Sequence, residues 1–223
     1  MWIKSSFNDF ASMQGEMVEL VYDTAMVVGL FVLSMISYWV WVILVNFMTD
    51  KSIVSFEIFE IVWTVSPLST LFLLAFPSLW VMYSVEQKIF DKDIALTVKV
   101  TALQWYWVYE YSDLNLDSKF ESYMKENDEI SSTDFRLLEV TSRLVIPYDV
   151  DIRVLITSED VIHSWSLPSL AIKMDAVPGR LNQCSLSSQQ MGLFYGQCSE
   201  ICGALHSFMP ICVEITTPEF LKS

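Results

Sequence analysis

Two long runs without a charged side chain constrain this chain more than any other feature. Thr24 to Thr49 supplies 26 such residues and Ile61 to Val85 supplies 25. A helix needs roughly 20 apolar residues to cross the hydrocarbon of a bilayer, so each run is long enough to span one. Core helices of soluble proteins rarely continue that far without a charge. The first run is rich in Val, Leu, Ile and Phe and contains Tyr38, Trp39 and Trp41. The second carries Trp63 near one end and Trp80 and Tyr83 near the other, where an aromatic ring can sit between lipid and water. Pro67 and Pro77 lie inside the second run. Each removes a backbone donor and should bend the helix, which membranes tolerate where neighbouring groups satisfy the freed carbonyl. Spans at about 24–49 and 61–85 close into a hairpin with a linker from Asp50 to Glu60, so both tails leave on the same side. Ahead of them, Met1 to Tyr22 holds Asp9, Glu16 and Glu19 with a single lysine, unlike a secretory leader. The linker offers only Lys51, so basic residues do not orient the hairpin.

Beyond Asp93 the pattern changes. Short β-branched and aromatic runs recur at Ile94–Val100, Gln104–Tyr111, Leu137–Val145, Val150–Ile156 and Ile211–Ile215, which is how strands read. Pro147, Pro168 and Pro178 punctuate them. The expectation is a membrane-anchored all-β protein: an N-terminal arm and transmembrane hairpin over residues 1–90, then an antiparallel sandwich or barrel over 91–223. Asn115 to Asp134, acidic and rich in serine, reads as a solvated loop with at most one helical turn, and a docking role for it stays open. Asp149, Asp151 and Arg153 alternate and should share a solvent-facing side.

With 53% hydrophobic and 14% aromatic residues the chain is not a disordered one. Its net charge is -14, and residues 91–223 set 19 acidic against 10 basic side chains, a balance of -9. That field disfavours nucleic acid and suits a basic protein partner, although solubility alone would also account for it.

The chemistry concentrates in Gly196-Gln-Cys-Ser-Glu-Ile-Cys-Gly-Ala-Leu-His-Ser-Phe-Met-Pro210. Cys198, Cys202, His206 and Met209 bring two thiolates, an imidazole and a thioether within 12 residues, in a loop bounded by glycine and proline. Soft sulfur with imidazole favours copper, zinc or iron–sulfur chemistry over magnesium or calcium. A thioether is an unusual zinc ligand but a familiar weak ligand to copper in electron-transfer sites. A mononuclear blue copper site needs one cysteine, so the second points to two coppers bridged by both sulfurs, each with a terminal nitrogen. The chain has two histidines. The second, His163, lies in Glu159-Asp-Val-Ile-His-Ser-Trp165, past the run Val150–Ile156 and in a position to approach from another loop. A Cys198–Cys202 disulfide is the alternative in an oxidising compartment, and it leaves His206 and Met209 unexplained. Cys184 and Cys212 fall outside the pattern, as buried or free thiols or as a disulfide with each other.

These residues resemble subunit II of haem-copper cytochrome c oxidases, the mitochondrially encoded form in particular. The likeness runs through Glu60-Ile-Val-Trp-Thr, Gln104-Trp-Tyr-Trp-Val-Tyr-Glu-Tyr111, His163-Ser-Trp-Ser-Leu-Pro-Ser-Leu170, Asp175-Ala-Val-Pro-Gly-Arg-Leu-Asn-Gln183 and the cluster itself. It implies a dinuclear copper centre, CuA, in a cupredoxin-like β domain held outside the membrane by the hairpin. On this chain Cys198 and Cys202 would bridge both coppers, with His163 and His206 as terminal ligands. Met209 would be a weak ligand to one copper, and Glu200 would offer its backbone carbonyl to the other and its side chain to a magnesium shared with subunit I. Electrons would arrive from cytochrome c through Trp105, with Glu110, Asp113 and Asp160 helping it dock, and leave to haem in subunit I, where oxygen is reduced. Glu60 resembles the glutamate at the inner mouth of a proton channel.

The same resemblance implies a multi-pass protein of the mitochondrial inner membrane, its β domain in the intermembrane space beside other oxidase subunits. A bacterial plasma membrane is the second choice. Leu205 replaces a common asparagine next to His206, Leu103 a common histidine and Trp80 a frequent arginine. Cys184 and Cys212 are additions. Three other readings are a quinol oxidase subunit, whose relatives lack the copper ligands, a copper carrier or assembly module, which would leave Glu60 and the tryptophans without a role, and a purely structural membrane subunit, which leaves Cys198 to Met209 unexplained.

Overall fold

A computed structural model describes residues 9–48, 55–89, 94–113 and 119–217. It divides into two compact units, one of residues 17–83 and one that joins residues 84–223 to the N-terminal arm up to Glu16.

The first unit is built from two helices, α1 (Met13–Val45) and α2 (Glu57–Ile89), each of 33 residues. At 1.5 Å per residue each is about 50 Å long, well beyond the roughly 30 Å of bilayer hydrocarbon. The helices therefore overrun the charge-free runs, because Glu16, Glu19 and Asp23 are tolerated in turns outside the lipid. In α2 the start moves back to Glu57, and Glu57 and Glu60 occupy its first turn, where the positive end of the helix dipole favours carboxylates. The helical turn Glu57–Glu60 shortens the expected linker, whose residues 50–54 lie outside the described ones, as does the expected boundary at 90–91. Hydrophobic side chains project all round both helices, and the apolar 18-residue window of each has no buried residue, the distribution a helix needs when lipid is its solvent. α2 runs on as helix through Pro67 and Pro77. Hydroxyls back-bond to its carbonyls, Thr64 Oγ1 to Glu60 at 2.8 Å and Thr70 Oγ1 to Ser66 at 2.9 Å.

Among the described residues the second unit is a β domain of ten strands: β1 (Leu96–Leu103), β2 (Tyr106–Tyr111), β3 (Lys119–Ser122), β4 (Leu144–Pro147), β5 (Ile152–Ser158), β6 (His163–Leu167), β7 (Ile172–Ala176), β8 (Asn182–Leu186), β9 (Gly192–Gln197) and β10 (Pro210–Thr216). They form a five-stranded sheet in the order β3-β2-β1-β5-β8, a three-stranded sheet β4-β10-β9 and the pair β6-β7. β1 and β5 lie in the middle of the larger sheet, and their alternate residues Leu96, Val98, Val100, Ile152, Val154 and Ile156 are all buried. Trp107 and Trp165 fill the space between the layers with no exposed surface; each such ring buries some 150–250 Å².

The arrangement is not purely antiparallel. β1 runs parallel to β5 and β10 parallel to β4, because each returns to its neighbour by a crossover that no local pattern announces. The run Leu137–Val145 delivers only the four-residue strand β4; Leu137 takes φ 69° and Val140 makes an isolated bridge to Met124. The acidic stretch holds β3, which adds to β2 and places Phe120 opposite Tyr109. Arg153 faces outward in β5, while Asp149 takes φ 56° in the turn before it.

The N-terminal arm belongs to this domain. Ala11 donates to Ser169 O at 2.9 Å and accepts from Gln189 N at 2.8 Å. Ser12 donates to Leu170 O at 2.9 Å and caps α1 by accepting from Gly15 N at 3.1 Å. A Cβ at Gly15 would lie 2.3 Å from the Phe10 ring, so only glycine lets the arm fold back at that point.

Candidate metal centre

β9 and β10 are antiparallel with Gln197 opposite Pro210, so the segment from Cys198 to Met209 is a loop closed at its base. Within it, Cys198 N donates to Met209 O at 3.4 Å, and Trp107 Nε1 reaches the same carbonyl at 3.3 Å. His163 opens β6, whose backbone is pressed against β9. A Cβ at Gly196 would fall 1.8 Å from Ser166 O, and without that bulk the histidine strand closes on the cysteine loop. Ser199 N, donating to Ser164 O at 3.0 Å, fastens the two together.

Three sulfurs and both imidazoles meet there. The Cys198 and Cys202 sulfurs are 4.0 Å apart. His163 Nδ1 stands 3.9 Å from Cys198 Sγ, and His206 Nδ1 3.5 Å from Cys202 Sγ. Met209 Sδ is 3.5 Å from Cys202 Sγ, and the Glu200 carbonyl is 3.3 Å from Cys198 Sγ. His163, Cys198 and Cys202 are buried and their ligand atoms all fall within 4.8 Å of one another. Cys184 and Cys212 are buried free thiols, like the two in the loop, so the disulfide options are not adopted.

Burial alone would raise the thiol pKa of Cys198, but its hydrogen bonding with His163 and with the backbone at Ser164 and Glu200 outweighs it and brings it down to about 7. Burial and then the charge on Cys198 push Cys202 up to about 12. His163 is raised above its ordinary value, since the hydrogen bonds and charges of Cys198 and Asp160 overcome the burial that would lower it. A pair of buried sulfurs that resist losing both protons, with imidazole nitrogens beside them, is a place where a cation would be stabilised. The donor set fits a soft one, and metal binding would release the remaining protons.

Around this centre the other expected residues scatter. Glu200 has its carboxylate exposed and without a partner among the described residues. Trp105 is half-buried and packs on the ligand loop: a Cβ at Gly203, where φ is +128°, would stand 3.2 Å from its indole. Asp160 accepts from His163 Nε2 at 2.8 Å. Glu110 pairs with Lys99 at 3.9 Å, and Asp113 accepts from Thr97 N. Both lie toward the far end of β2 from Trp105, about 17 Å or more away by strand rise. Glu60 stands in the other unit, in the first turn of α2. Sequence reasoning missed the part played by Gln104, whose Nε2 donates to Cys202 O at 2.7 Å; its place beside Trp105 was the available signal.

A two-helix membrane anchor joined to a cupredoxin-like β domain with a Cys/His/Met cluster at the base of one loop defines a membrane-bound, copper-binding electron-transfer protein. Residues 96–216 match the model of the cytochrome c oxidase subunit II periplasmic domain, and residues 1–81 match that family's transmembrane domain. The chain belongs to the cytochrome c oxidase subunit II family and is a subunit of that enzyme. Cytochrome c oxidase subunit 2 of Myxine glutinosa is 46% identical over 213 residues, covering 96% of this chain and 92% of its own. That of Branchiostoma floridae is 57% identical over 127 residues, 57% of this chain and 55% of its own. Among solved structures, the periplasmic domain of subunit II of cytochrome oxidase of Bradyrhizobium japonicum superposes with a TM-score of 0.53 at 42% identity, covering 58% of this chain and 89% of that one. A subunit II caught in a mixed disulfide with a thioredoxin-like protein gives 0.51 at 40% identity, over 59% and 89%.

Proposed function

We propose that this chain takes single electrons from reduced cytochrome c at a dinuclear copper centre and delivers them to haem in subunit I. The observation that carries the reading is the symmetry of the cluster: two sulfurs 4.0 Å apart, each with an imidazole Nδ1 on its own side. Cys198 and Cys202 would hold both coppers, His163 and His206 one each, with Met209 and the Glu200 carbonyl as the weak outer ligands. A bound copper pair would supply a one-electron carrier whose charge change is shared between two ions. The protein's part is to keep the ligands still and dry: the loop is pinned at Gln197–Pro210, at Ser164 O and at Gln104, and Met209 is 1% exposed. Such pre-placement keeps ligand motion small when the charge changes.

Trp105 serves as the face that receives the electron, because its ring packs against Gly203, next to Cys202. The balance of -9 over residues 91–223 draws in a basic donor, with Glu110, Asp113 and Asp160 contributing. The exposed Glu200 carboxylate suits a magnesium shared with subunit I, and Glu60 the mouth of a proton path. The natural division is an arm and hairpin over residues 1–90 and a copper domain over 91–223, in the mitochondrial inner membrane with the copper domain in the intermembrane space. A copper carrier is disfavoured by the burial of both thiols, which hinders release.

Rapid-mixing reduction of the copper-loaded oxidase by cytochrome c tests the reading. Two coppers per chain and a reduction rate that falls with ionic strength and collapses in Trp105→Ala are expected; one metal per chain, or a rate indifferent to Trp105, would overturn it.

A further inference from the structure

We propose that Asp160 and Gln104 form a clasp that positions the metal ligands, Asp160 by fixing the rotation and tautomer of His163 and Gln104 by holding the Cys202 carbonyl. The inference rests on the metal reading above and gives Asp160 a different task from docking. Its carboxylate is turned onto the neighbouring loops, with 29% of the side chain still exposed: one oxygen accepts from His163 Nε2 at 2.8 Å, Val161 N at 2.5 Å and Ser158 Oγ at 3.2 Å. The other accepts from Gln104 N at 2.6 Å. Gln104 then reaches the opposite way, its Nε2 donating to Cys202 O at 2.7 Å. Three separate loops, after β1, after β5 and after β9, are tied by two adjoining side chains.

The chemistry follows from where the imidazole proton must be. A carboxylate on Nε2 holds the N–H on that nitrogen and leaves the Nδ1 lone pair facing Cys198 Sγ, 3.9 Å away. His163 is completely buried, so no water competes for the proton. Gly203 is the complementary part of the device. Its φ of +128° strains any other residue there, and a Cβ would stand 3.1 Å from Gln104 Nε2, close enough to shift the amide against the loop.

Two substitutions separate positioning from docking. Asp160→Asn removes the charge and replaces one acceptor by an amide donor, and Asp160→Glu keeps the charge but carries the carboxylate one methylene further. The full chain in detergent is loaded with copper, its affinity is read by competition with a chelator, and the His163 ring protons are followed by paramagnetic NMR. Both variants are expected to bind copper about tenfold or more weakly and to move the His163 resonances. Gln104→Met, of similar shape but without the amide donor, should weaken binding a few-fold and leave those resonances nearly in place. If both Asp160 variants hold copper within twofold of the parent with unmoved His163 signals, and only Asp160→Asn alters the salt dependence of reduction by cytochrome c, Asp160 is a docking acid and the clasp is wrong. Failure of the parent chain itself to take up copper would defeat the metal reading and the clasp with it.

Discussion

The β domain buries two groups of polar side chains that strand β10 connects, and they are built on opposite principles. At its start lies the loop of Cys198, Cys202, His206 and Met209. Further along, Glu139, 1% exposed, receives Arg143 Nε at 2.9 Å and Tyr195 OH at 3.1 Å, and Arg143 reaches Glu214 at 3.4 Å. The second group is closed: each charge meets an opposite charge or a donor, and Tyr195 stands directly across the ladder from Cys212. The first is open. Its sulfurs and imidazole nitrogens converge on one another, with no lysine or arginine of the described residues among their partners. Burial of polar atoms therefore does not by itself mark a functional site; convergence of acceptors without an internal partner does.

Breaking the open group should cost the metal and spare the fold. In Cys202→Ser, copper binding by the full chain is expected to be lost altogether, while the metal-free melting temperature stays close to that of the parent. Retention of two coppers would place the bridging role elsewhere. Breaking the closed group should do the reverse. Glu139→Ala leaves Arg143 with Glu214 alone and Tyr195 OH without its acceptor, and should destabilise the domain by about 1 kcal/mol, measured by denaturant unfolding, with the copper spectrum unchanged.

Alkaline pH attacks the closed group together with the other buried thiols. Burial first, then the charge on Glu139, push the Cys212 thiol from an ordinary 9.0 to about 12. The folded state thus prefers the neutral thiol. Its contribution is complete below pH 9 and is lost as the pH rises from about 9 to about 12, at up to about 1.4 kcal/mol per unit. Cys184, pushed up to about 12 by burial alone, adds a similar slope. The loss of stability should be seen in unfolding curves at stepped pH, and Cys212→Ala should remove part of it; a flat profile would show that folding raises the pKa of neither thiol. The smallest effect is expected at Met209, 3.5 Å from Cys202 Sγ. Met209→Leu should keep two coppers and raise the reduction potential by an amount on the order of tens of millivolts, as read by a redox titration.

What the sequence made legible follows the same division between local and distant. The two spans and the ligand loop are written in contiguous residues, so length and donor type were sufficient. His163 was reachable because the chain has only two histidines. Strand direction was not, since β1 meets β5 through residues far apart in the chain, and the short strands β6 to β9 carry Ser, Asn, Gln and Gly where a strand signal expects Val or Ile. The docking of Ala11 and Ser12 on Ser169 and Leu170 spans 158 positions and leaves no pattern in either segment. Asp160 was visible only as an acid beside a histidine. Its turn onto the neighbouring loops needed the geometry of Gln104.

Electron paramagnetic resonance of the oxidised, copper-loaded chain, with metal analysis of the same sample, tests the central claim most directly. One unpaired electron shared equally by two coppers per chain is the predicted result. A signal from a single copper, or stoichiometric zinc in its place, would contradict it.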